Sequence, residues 1–330
     1  MKCLVLDYGG TALKYGLMDT DANLTEQGEV PAPNHSAEEY LRVTGEIFDR
    51  YKDEVDGIAV SMPGTFTDET VLVSGGAYLN ILKGTNIREL LETRCGVPVA
   101  VENDGKAAAL AECWNGNLKD CQDGIAIILG TGIGGGIIHN RRVYRGRHAA
   151  AGEFSYILTG GKSGVFNMST YTCSTEGFVE RAAVMKGMPH QDFYLALKGF
   201  GAEEEIARLR AMVKGPQYPD MEMNGFTAFQ LLEKGDPDIA MLYDELLDSL
   251  TQLIVILAHV CDPDRFVIGG GISKEARLIA DLQARVAAFP GRNIIAVPGF
   301  DVQPCFYRSS ANLYGAMFNW LQQYHSELVS

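Results

Sequence analysis

Two stretches of the sequence share one pattern, in which an apolar strand runs into a glycine-rich turn and a second apolar strand leaves it. The first stretch is Cys3–Met18, and its turn is Gly9-Gly10-Thr11. The second is Ile125–His139, and its turn includes Gly130-Thr131-Gly132. Glycine lets backbone N–H groups close on an anion because no Cβ stands in the way. The spacing of the two stretches indicates a duplicated unit about the size of a lobe rather than a short-period repeat.

The second turn also satisfies two familiar nucleotide motifs. Gly130, Gly132 and Gly135 match the dinucleotide fingerprint G-x-G-x-x-G, which requires a helix directly after the turn. Residues 137–144 have no helical period and instead predict a strand, a turn and another strand. The glycines are also similar to the lid of a protein kinase, but the chain lacks the H-R-D and D-F-G motifs of that class. We therefore interpret the turn as part of a phosphate-binding hairpin.

Strands and helices alternate along the 330 residues, which predicts an α/β fold built in layers. A chain of this length with 46% hydrophobic residues can fill two cores. We expect an N-terminal lobe over residues 1–118 and a C-terminal lobe over 119–307, with a last helix within about 308–330 that packs back on the first lobe. Small and turn-forming residues predict a loop over 160–173 and interrupted structure over 186–238.

Composition excludes several classes of protein. A net charge of −14 argues against nucleic-acid binding, since a phosphate-binding surface needs clustered lysine and arginine. The longest apolar runs are too short to span a bilayer, and the chain enters its first strand without the layout of a signal peptide. Seven scattered cysteines without a C-x-x-C pair are typical of reduced thiols. These features together predict a cytoplasmic protein with small-molecule partners.

A third glycine turn, Gly269-Gly270-Gly271, follows another apolar strand. Three glycine clusters at strand ends are more than tight turns require, and they indicate close approach by a ligand, although three ordinary turns are the alternative. The functional interpretation is a nucleotide between two lobes, with its phosphates at the two hairpins and its adenosine at the third turn. Asp7 ends the first strand and could hold a metal ion through water. Alternatively, Asp7 is a turn residue that bonds its own backbone.

The segment Glu102-Asn103-Asp104-Gly105 lies between an apolar strand and an alanine-rich helix. Asp104 in this position could simply cap the helix. It could also be a catalytic base, because phosphoryl transfer needs a group that accepts the proton of the attacking hydroxyl. The local sequence leaves both possibilities open.

The combined pattern resembles the ROK family, which comprises sugar kinases and related repressors. The resemblance covers nearly the whole chain in order and spacing, and it implies the two-lobed actin-like (ribonuclease H-like) ATPase fold with its active site in the cleft between lobes. The motifs that carry it are Asp7–Thr11, Pro63-Gly64, Glu102–Asp104, Leu129–Gly136, Gly152-Glu153 and Gly269–Gly271.

The same resemblance implies roles for individual residues. Asp104 would be the catalytic base, and Asp7 would hold Mg²⁺, through water. The nucleotide would be bound by Asp7 and by the residues of the three glycine turns, namely Gly9, Gly10, Thr11, Gly130, Thr131, Gly132, Gly269, Gly270 and Gly271. The sugar would be bound by Gly64, Gly76, Asn103, Asp104, Glu153 and Glu176.

One departure from the family pattern concerns zinc. Many members carry G-E-x-G-H, whose histidine binds zinc together with downstream cysteines, whereas this chain has Gly152-Glu-Phe-Ser-Tyr156. Downstream, Cys173 is the one cysteine that remains in the corresponding stretch. A single thiol without the histidine cannot form a closed tetrahedral site, so we expect no structural zinc. The stretch Gly75–Asn80 is more similar to the zinc-less β-glucoside kinase branch.

The predicted function is an ATP- and Mg²⁺-dependent sugar kinase that phosphorylates a primary hydroxyl, O6, of a glucose-like sugar or a β-glucoside. An alternative within the family is an N-acetylmannosamine kinase or another hexose kinase. An alternative of a different class is a non-catalytic sugar sensor or a repressor. We expect a repressor to carry a helix-turn-helix before the first strand, and this sequence reaches that strand at residue 3. Family members are often dimers, so a homodimer is a further expectation.

Overall fold

The computed structural model describes residues 1–67, 70–75, 79–159, 167–188, 222–289 and 300–329, together with residues 207 and 211. Within these ranges the strands form two five-stranded sheets and a two-stranded ribbon. The strands are β1 (Lys2–Tyr8), β2 (Ala12–Asp19), β3 (Leu24–Pro31), β4 (Gly57–Met62), β5 (Thr65–Phe66), β6 (Leu72–Ser74), β7 (Val99–Asn103), β8 (Gly124–Leu129), β9 (Ile133–His139), β10 (Arg142–Val143), β11 (Arg265–Gly270) and β12 (Asp301–Pro304). The helices are α1 (Ala37–Tyr51), α2 (Ile87–Cys95), α3 (Asp104–Asn115), α4 (Ser169–Thr172), α5 (Thr175–Lys186), α6 (Gly225–Glu233), α7 (Pro237–Cys261), α8 (Ala276–Ala288) and α9 (Ala311–Tyr324).

The chain divides into two compact units. Unit 1 contains residues 1–126, 135–152 and 305–330, and unit 2 contains residues 127–134 and 153–304. The lobe boundary predicted after residue 118 is a different division, and it stays a prediction.

The first sheet belongs to unit 1 and has the order β3-β2-β1-β4-β7. β1, β2 and β3 form an antiparallel meander, while β1, β4 and β7 are parallel neighbours. Every residue of β4 is buried, and so is every residue of β1 after the first. Strands covered on both faces read as continuous apolar runs, which explains why these segments lack an alternating pattern. The parallel arrangement brings the carboxyl ends of β1, β4 and β7 to one edge.

Helices cover both faces of this sheet. Leu4, Leu6 and Val60 belong to a core that includes side chains of α1 and α2, whereas Val5 and Ala59 belong to a core with α9. Alternate residues of a strand point to opposite faces, so one apolar strand can supply both cores.

The predicted C-terminal helix is confirmed as α9, which packs against α3 and the first sheet. Trp320 is 1% exposed, and its indole N–H donates a hydrogen bond to the Pro98 carbonyl at 3.2 Å. Gly315 lies so close to the backbone of α3 that any Cβ would overlap the Ala107 carbonyl. A glycine is therefore required where the two helices cross, and α9 becomes an integral part of unit 1.

The second sheet has the order β10-β9-β8-β11-β12. In unit 2, α7 is the longest described helix, with 25 residues, and it begins after Asp236, whose carboxylate accepts hydrogen bonds from two backbone N–H groups. Lys186 at the end of α5 is buried, and its ammonium group lies 2.7 Å from a carboxylate oxygen of both Asp236 and Asp238. Among the described residues, no helix is both long and apolar enough to cross a membrane.

One local prediction is corrected by the structure, because the predicted loop at 160–173 contains the short helix α4 in its described part. The stretch predicted to be interrupted, 186–238, contains α6 in its described part. The Asn224 side chain caps α6 by accepting a hydrogen bond from Thr227 N, and Phe229, Leu231 and Leu232 are buried along the helix.

The Glu112 carboxylate is a buried anchor between α3 and the chain that leads into α9. It accepts backbone hydrogen bonds from Asn117 N at 2.9 Å, Phe306 N at 3.1 Å and Tyr307 N at 2.8 Å. Because E112A would leave three partly buried N–H groups without the charged acceptor that they share, we expect it to lower the free energy of unfolding by about 3–5 kcal/mol. E112Q keeps one acceptor oxygen and should lose less. Urea denaturation measures both, with E46A on the exposed surface as the control; equal losses in E112A and E46A would contradict the prediction.

Candidate active site

The carboxyl edge of the first sheet collects polar residues. Asp7 pairs with Ser61 across β1 and β4, and Met62 pairs with Asn103 across β4 and β7. Asp104 follows as the first residue of α3. Ligands of open α/β sheets bind outside the carboxyl ends of the strands. The fold therefore brings the predicted residues Asp7, Asn103 and Asp104 to the edge where a ligand is expected.

The Asp7 carboxylate is held by side chains from two other elements. Ser61 Oγ donates a hydrogen bond to Asp7 Oδ1 at 3.1 Å, and Asn312 Nδ2 in α9 donates to the same oxygen at 3.0 Å. Burial raises the pKa of Asp7, and these two hydrogen bonds and Lys14 act in the opposite direction. No described residue donates to Asp7 Oδ2. One oxygen is thus anchored, and the other can accept a hydrogen bond from a ligand.

Sequence reasoning missed both partners of Asp7. It also left open that Asp7 bonds its own turn, whereas in the described residues its partners come from β4 and α9. Ser61 carried a usable signal, because a polar residue inside an otherwise apolar buried strand needs a hydrogen-bond partner. Asn312 carried no such signal, because it lies 305 positions away from Asp7 in the chain.

Asn103, rather than Asp104, caps α3. The Asn103 side-chain oxygen accepts a hydrogen bond from Lys106 N at 3.1 Å, and its Nδ2 donates to both Gly64 O and Asp104 Oδ1 at 3.0 Å. Gly105 N also donates to Asp104 Oδ1, at 2.8 Å. The interpretation of Asp104 as a simple cap is therefore wrong. Its carboxylate is oriented by neighbours at the helix N-terminus, where negative charge is favoured.

The backbone at Gly64 explains the choice of glycine. Its φ is +134°, a conformation that other residues rarely adopt, and a Cβ would press against the Ser74 carbonyl. The Gly64 carbonyl accepts the hydrogen bond from Asn103 Nδ2. Gly64, Asn103 and Asp104 are thus connected within unit 1. Gly76, the other glycine predicted to contact the sugar, lies outside the described residues.

The first glycine turn, Gly9-Gly10-Thr11, joins β1 to β2 as predicted. Gly9 and Thr11 are exposed, although all of β1 after its first residue is buried. Gly9 N donates to Ala12 O at 2.9 Å, which closes the turn. Asn34 Nδ2 donates to Gly10 O at 3.3 Å, so a neighbouring segment supports the turn from outside the hairpin.

The second glycine turn belongs to unit 2. Hydrogen bonds connect this region to Glu176, a predicted sugar contact, and to Ser155. Gly130 N donates to Gly132 O at 3.0 Å, and Gly130 O accepts from Glu176 N at 3.3 Å. Ser155 Oγ accepts from Ile133 N at 2.9 Å and donates to Ile133 O at 3.2 Å. Thr131 is exposed at the tip. Sequence reasoning missed Ser155, whose role depends on a contact with a distant strand.

The third glycine turn, Gly269-Gly270-Gly271, also belongs to unit 2. Gly270 has a φ of +97°, and a Cβ there would overlap the Leu129 carbonyl. Gly270 therefore permits close approach of two strand ends. A Cβ at Gly271 would meet no atom within 4 Å, and this residue is exposed. Close packing explains why residue 270 is a glycine, but it does not explain the glycine at 271. Close approach of a ligand would explain Gly271.

The two predicted glutamates both lie in unit 2. Glu153 is partly buried and precedes a 3₁₀ turn at Phe154–Tyr156. Glu176 lies in the first turn of α5, where Ser174 caps the helix by accepting from Gly177 N at 2.9 Å. The backbone N–H of Glu176 donates to the Gly130 carbonyl, so Glu176 lies beside the second glycine turn. The structure places every described residue that was predicted, but the assignment of their binding roles stays a prediction.

The region where many family members carry zinc contains a hydroxyl and thiol cluster here. Thr159 Oγ1 and Thr172 Oγ1 are 2.5 Å apart, and Cys173 Sγ is 3.4 Å from Thr172 Oγ1. Burial raises the pKa of Cys173 to about 11. Tyr156, at the position of the missing histidine, is 69% exposed. In the described part of the chain, no three histidine, cysteine, aspartate or glutamate residues lie together as metal ligands would; the absence of zinc stays a prediction.

The ROK family model matches residues 3–323, and the chain therefore belongs to the ROK family. A β-glucoside kinase from Listeria innocua is 30% identical over 325 residues, which cover 98% of each chain. The resemblance inferred from the motifs is confirmed.

Solved structures establish the fold. Lmo2764 from Listeria monocytogenes, a suggested N-acetylmannosamine kinase, is 26% identical and superposes with a TM-score of 0.77 over 98% of this chain and 99% of its own. A ROK glucokinase from Streptomyces griseus, solved with glucose and AMPPNP, is 24% identical and has a TM-score of 0.69, covering 96% and 98% of the two chains. The fold is the two-lobed actin-like ATPase fold, as predicted.

Proposed function

We propose that this ROK protein is an ATP-dependent sugar kinase that phosphorylates O6 of a glucose-like sugar or a β-glucoside. The observation that carries the proposal is the Gly64–Asn103–Asp104 arrangement, in which Asn103 caps α3 and orients the carboxylate beside it. The similarity to a β-glucoside kinase supports the reaction and the acceptor. The neighbour that binds glucose and AMPPNP supports ATP as the donor.

In this proposal Asp104 is the catalytic base. As the sugar oxygen attacks the γ-phosphorus, an O–P bond forms, the bond to the ADP oxygen breaks, and the hydroxyl proton passes to the Asp104 carboxylate. Positioned proton acceptors contribute about 10²–10⁴-fold in rate. The sugar hydroxyls would be held by Gly64, Asn103, Glu153 and Glu176, while Gly76 has the same proposed role outside the described residues.

The proposed nucleotide ligands are Asp7 and the three glycine turns. Exposed turn residues such as Thr11 and Thr131 can present backbone N–H groups to phosphate oxygens, while the Gly9 N–H closes its own turn. Asp7 suits Mg²⁺, because this ion commonly keeps several waters and uses one or two carboxylates together with substrate phosphates. A single carboxylate with one anchored oxygen fits that mode. When bound, Mg²⁺ would neutralise phosphate charge, and Asp7 would orient a metal-bound water.

The partners and location follow from composition alone and remain part of the proposal. The net charge of −14 favours small-molecule partners over nucleic acid. Cytoplasmic location is consistent with the scattered cysteines, none of which forms a disulfide. A homodimer is carried over from the family pattern as an expectation, and the expected absence of structural zinc follows from the departure from that pattern at Tyr156.

A coupled ADP-release assay tests the proposed function directly. We expect glucose or a β-glucoside such as cellobiose to stimulate ADP release from MgATP at least about tenfold above the sugar-independent rate, because a bound acceptor replaces slow hydrolysis by water. N-acetylmannosamine, fructose and allose complete the panel, since the similarity to Lmo2764 favours N-acetylmannosamine as the second candidate. If no sugar stimulates ADP release, the kinase assignment is wrong and a sugar-sensing protein becomes the better interpretation.

A further inference from the structure

A cavity of about 350 Å³ in unit 1 adjoins the proposed sugar site. Gly64 and Asn103, both proposed sugar contacts, line it, whereas the catalytic Asp104 does not. Its volume is within the usual range for ligand pockets, about 300–1,000 Å³. Part of an acceptor that entered this cavity would therefore be remote from the hydroxyl that is phosphorylated.

The described charged side chains of the cavity are mostly positive. Among the described residues that line it, Arg88, Lys106 and Arg145 carry positive charge and Glu102 carries negative charge, in a protein whose net charge is −14. Glu102 is already paired with Arg145. Arg88 has no carboxylate within ion-pair distance among the described residues, and its described partner is the neutral amide of Gln323, at 3.0 Å. Within the described part of the chain, the charge of Arg88 is thus left for a ligand to neutralise.

A continuous chain of hydrogen bonds holds the two guanidinium groups in place. Arg88 donates to Gln323, Gln323 donates to Asn319 at 3.0 Å, and Arg145 donates to the same Asn319 oxygen at 3.2 Å. Asn319 is 2% exposed, so the centre of this chain is part of the core. Guanidinium groups that are already fixed lose little side-chain entropy when an anion binds.

We infer that the cavity binds an anionic group, a carboxylate or a phosphate, carried by the sugar acceptor on the side away from its phosphorylated hydroxyl. The inference rests on the proposed sugar kinase function and specifies its substrate class: hexosides or hexose derivatives that already bear a negative charge. Arg88 is the specificity-determining residue, and Arg145 supports it while neutralising Glu102. Phe66 and Val101 form an apolar wall of the cavity beside the charged side chains. This wall suits the less polar part of an aglycone.

Matched acceptors test the inference. The pairs are 4-carboxyphenyl β-glucoside with phenyl β-glucoside, and glucose 1-phosphate with methyl α-glucoside, so that carboxylate and phosphate are examined separately. A charge-assisted hydrogen bond contributes about 1.5–3 kcal/mol, which corresponds to roughly 10–100-fold in kcat/KM. We expect at least one anionic acceptor to exceed its neutral partner by about tenfold or more. Equal or better kcat/KM for both neutral compounds would overturn the inference.

The variant R88Q connects the preference to the cavity. It removes the unneutralised charge but keeps a polar side chain, and we expect it to reduce the anionic-to-neutral ratio to within about twofold. R42Q, which removes an exposed arginine elsewhere in unit 1, is the matched control and should keep the wild-type ratio. Arg145 is unsuitable for this purpose because its removal would leave Glu102 buried and unpaired. An R88Q protein with the wild-type ratio would locate the preference elsewhere and contradict the assignment.

Failure of the kinase function would be recognised separately. If no acceptor stimulates ADP release, calorimetric titration of the wild-type protein and R88Q with 4-carboxyphenyl β-glucoside and with phenyl β-glucoside still tests the cavity. Tighter binding of the carboxylate compound to the wild type, lost in R88Q, supports an anion subsite in a non-catalytic sugar-binding protein. Equal affinities for the two compounds exclude the subsite in either case.

Discussion

Asp104→Asn is expected to lower kcat for sugar phosphorylation by about 10²–10⁴-fold, because the amide cannot accept the proton of the attacking hydroxyl. The substitution is nearly isosteric. An amide oxygen at the same position can still accept the hydrogen bonds from Asn103 Nδ2 and Gly105 N that orient the side chain. The KM for the sugar should therefore change much less than kcat, since ground-state contacts are largely kept. Steady-state kinetics with the best acceptor of the panel measures both constants.

A control separates chemistry from folding in this experiment. Asp53→Asn, at an exposed position in unit 1, makes the same chemical change away from the site and should leave kcat unaltered. Thermal denaturation of D104N should resemble that of the wild type. A D104N protein that is folded and retains near-normal kcat would show that Asp104 is not the base.

Asp7→Asn is expected to weaken MgADP and MgATP binding and to lower kcat/KM for MgATP by about 100-fold, a change of about 2.7 kcal/mol. The amide oxygen can take the place of Oδ1 and keep the hydrogen bonds from Ser61 and Asn312. The amide nitrogen then replaces Oδ2, and it cannot accept a hydrogen bond from a metal-bound water. Calorimetric titration with ADP, with and without Mg²⁺, should show that the wild type gains affinity from the metal and that D7N gains much less. Equal gains would contradict the role of Asp7.

D7N is expected to weaken nucleotide binding without lowering the stability of the fold. Burial raises the pKa of Asp7, so the folded protein holds this proton more tightly than the unfolded chain. The wild type therefore loses stability from this group as the pH rises from the ordinary pKa of aspartate to the raised one. D7N removes the titration, and we expect its free energy of unfolding at neutral pH to equal or exceed that of the wild type. The difference should shrink as the pH falls below the ordinary pKa; a less stable D7N protein at neutral pH would contradict this account.

Much of the fold could be predicted because its signals are local. Buried parallel strands such as β4 appear as uninterrupted apolar runs, and α2 is bounded by Asn86 and Gly96, which have the chemistry of a helix start and stop. The glycine turns were recognisable for the same reason, since backbone conformation and close approach restrict the choice of residue at the turn itself. The prediction was wrong within 160–173, where small polar residues indicated a loop and the described part contains the short helix α4 with Ser169 and Tyr171 buried.

The candidate site could be predicted only in part. Asp7, Asn103 and Asp104 stand at strand ends, where their positions in the chain already indicate a ligand edge. The residues of α9 that complete the site are not indicated by their positions in the chain in this way. Asn312 reaches Asp7 because α9 crosses α3 at Gly315, and the guanidinium chain of the cavity depends on Asn319 one turn further along α9. Contacts between residues so far apart in the chain depend on how helices and strands pack together, and the local sequence does not indicate that packing.

The sequence by itself determined the family, the α/β layers and the glycine turns, because these features follow from periodicity, residue conformation and spacing within short segments. Tertiary structure decided which residue caps α3, which oxygen of Asp7 is anchored, and where arginine charge gathers beside Asn103. The physical reason is the same in each case. Hydrogen bonds and charge pairs form between side chains that burial of the apolar core brings together, and α9 supplies Leu313, Met317 and Trp320 to the core that it shares with the first sheet.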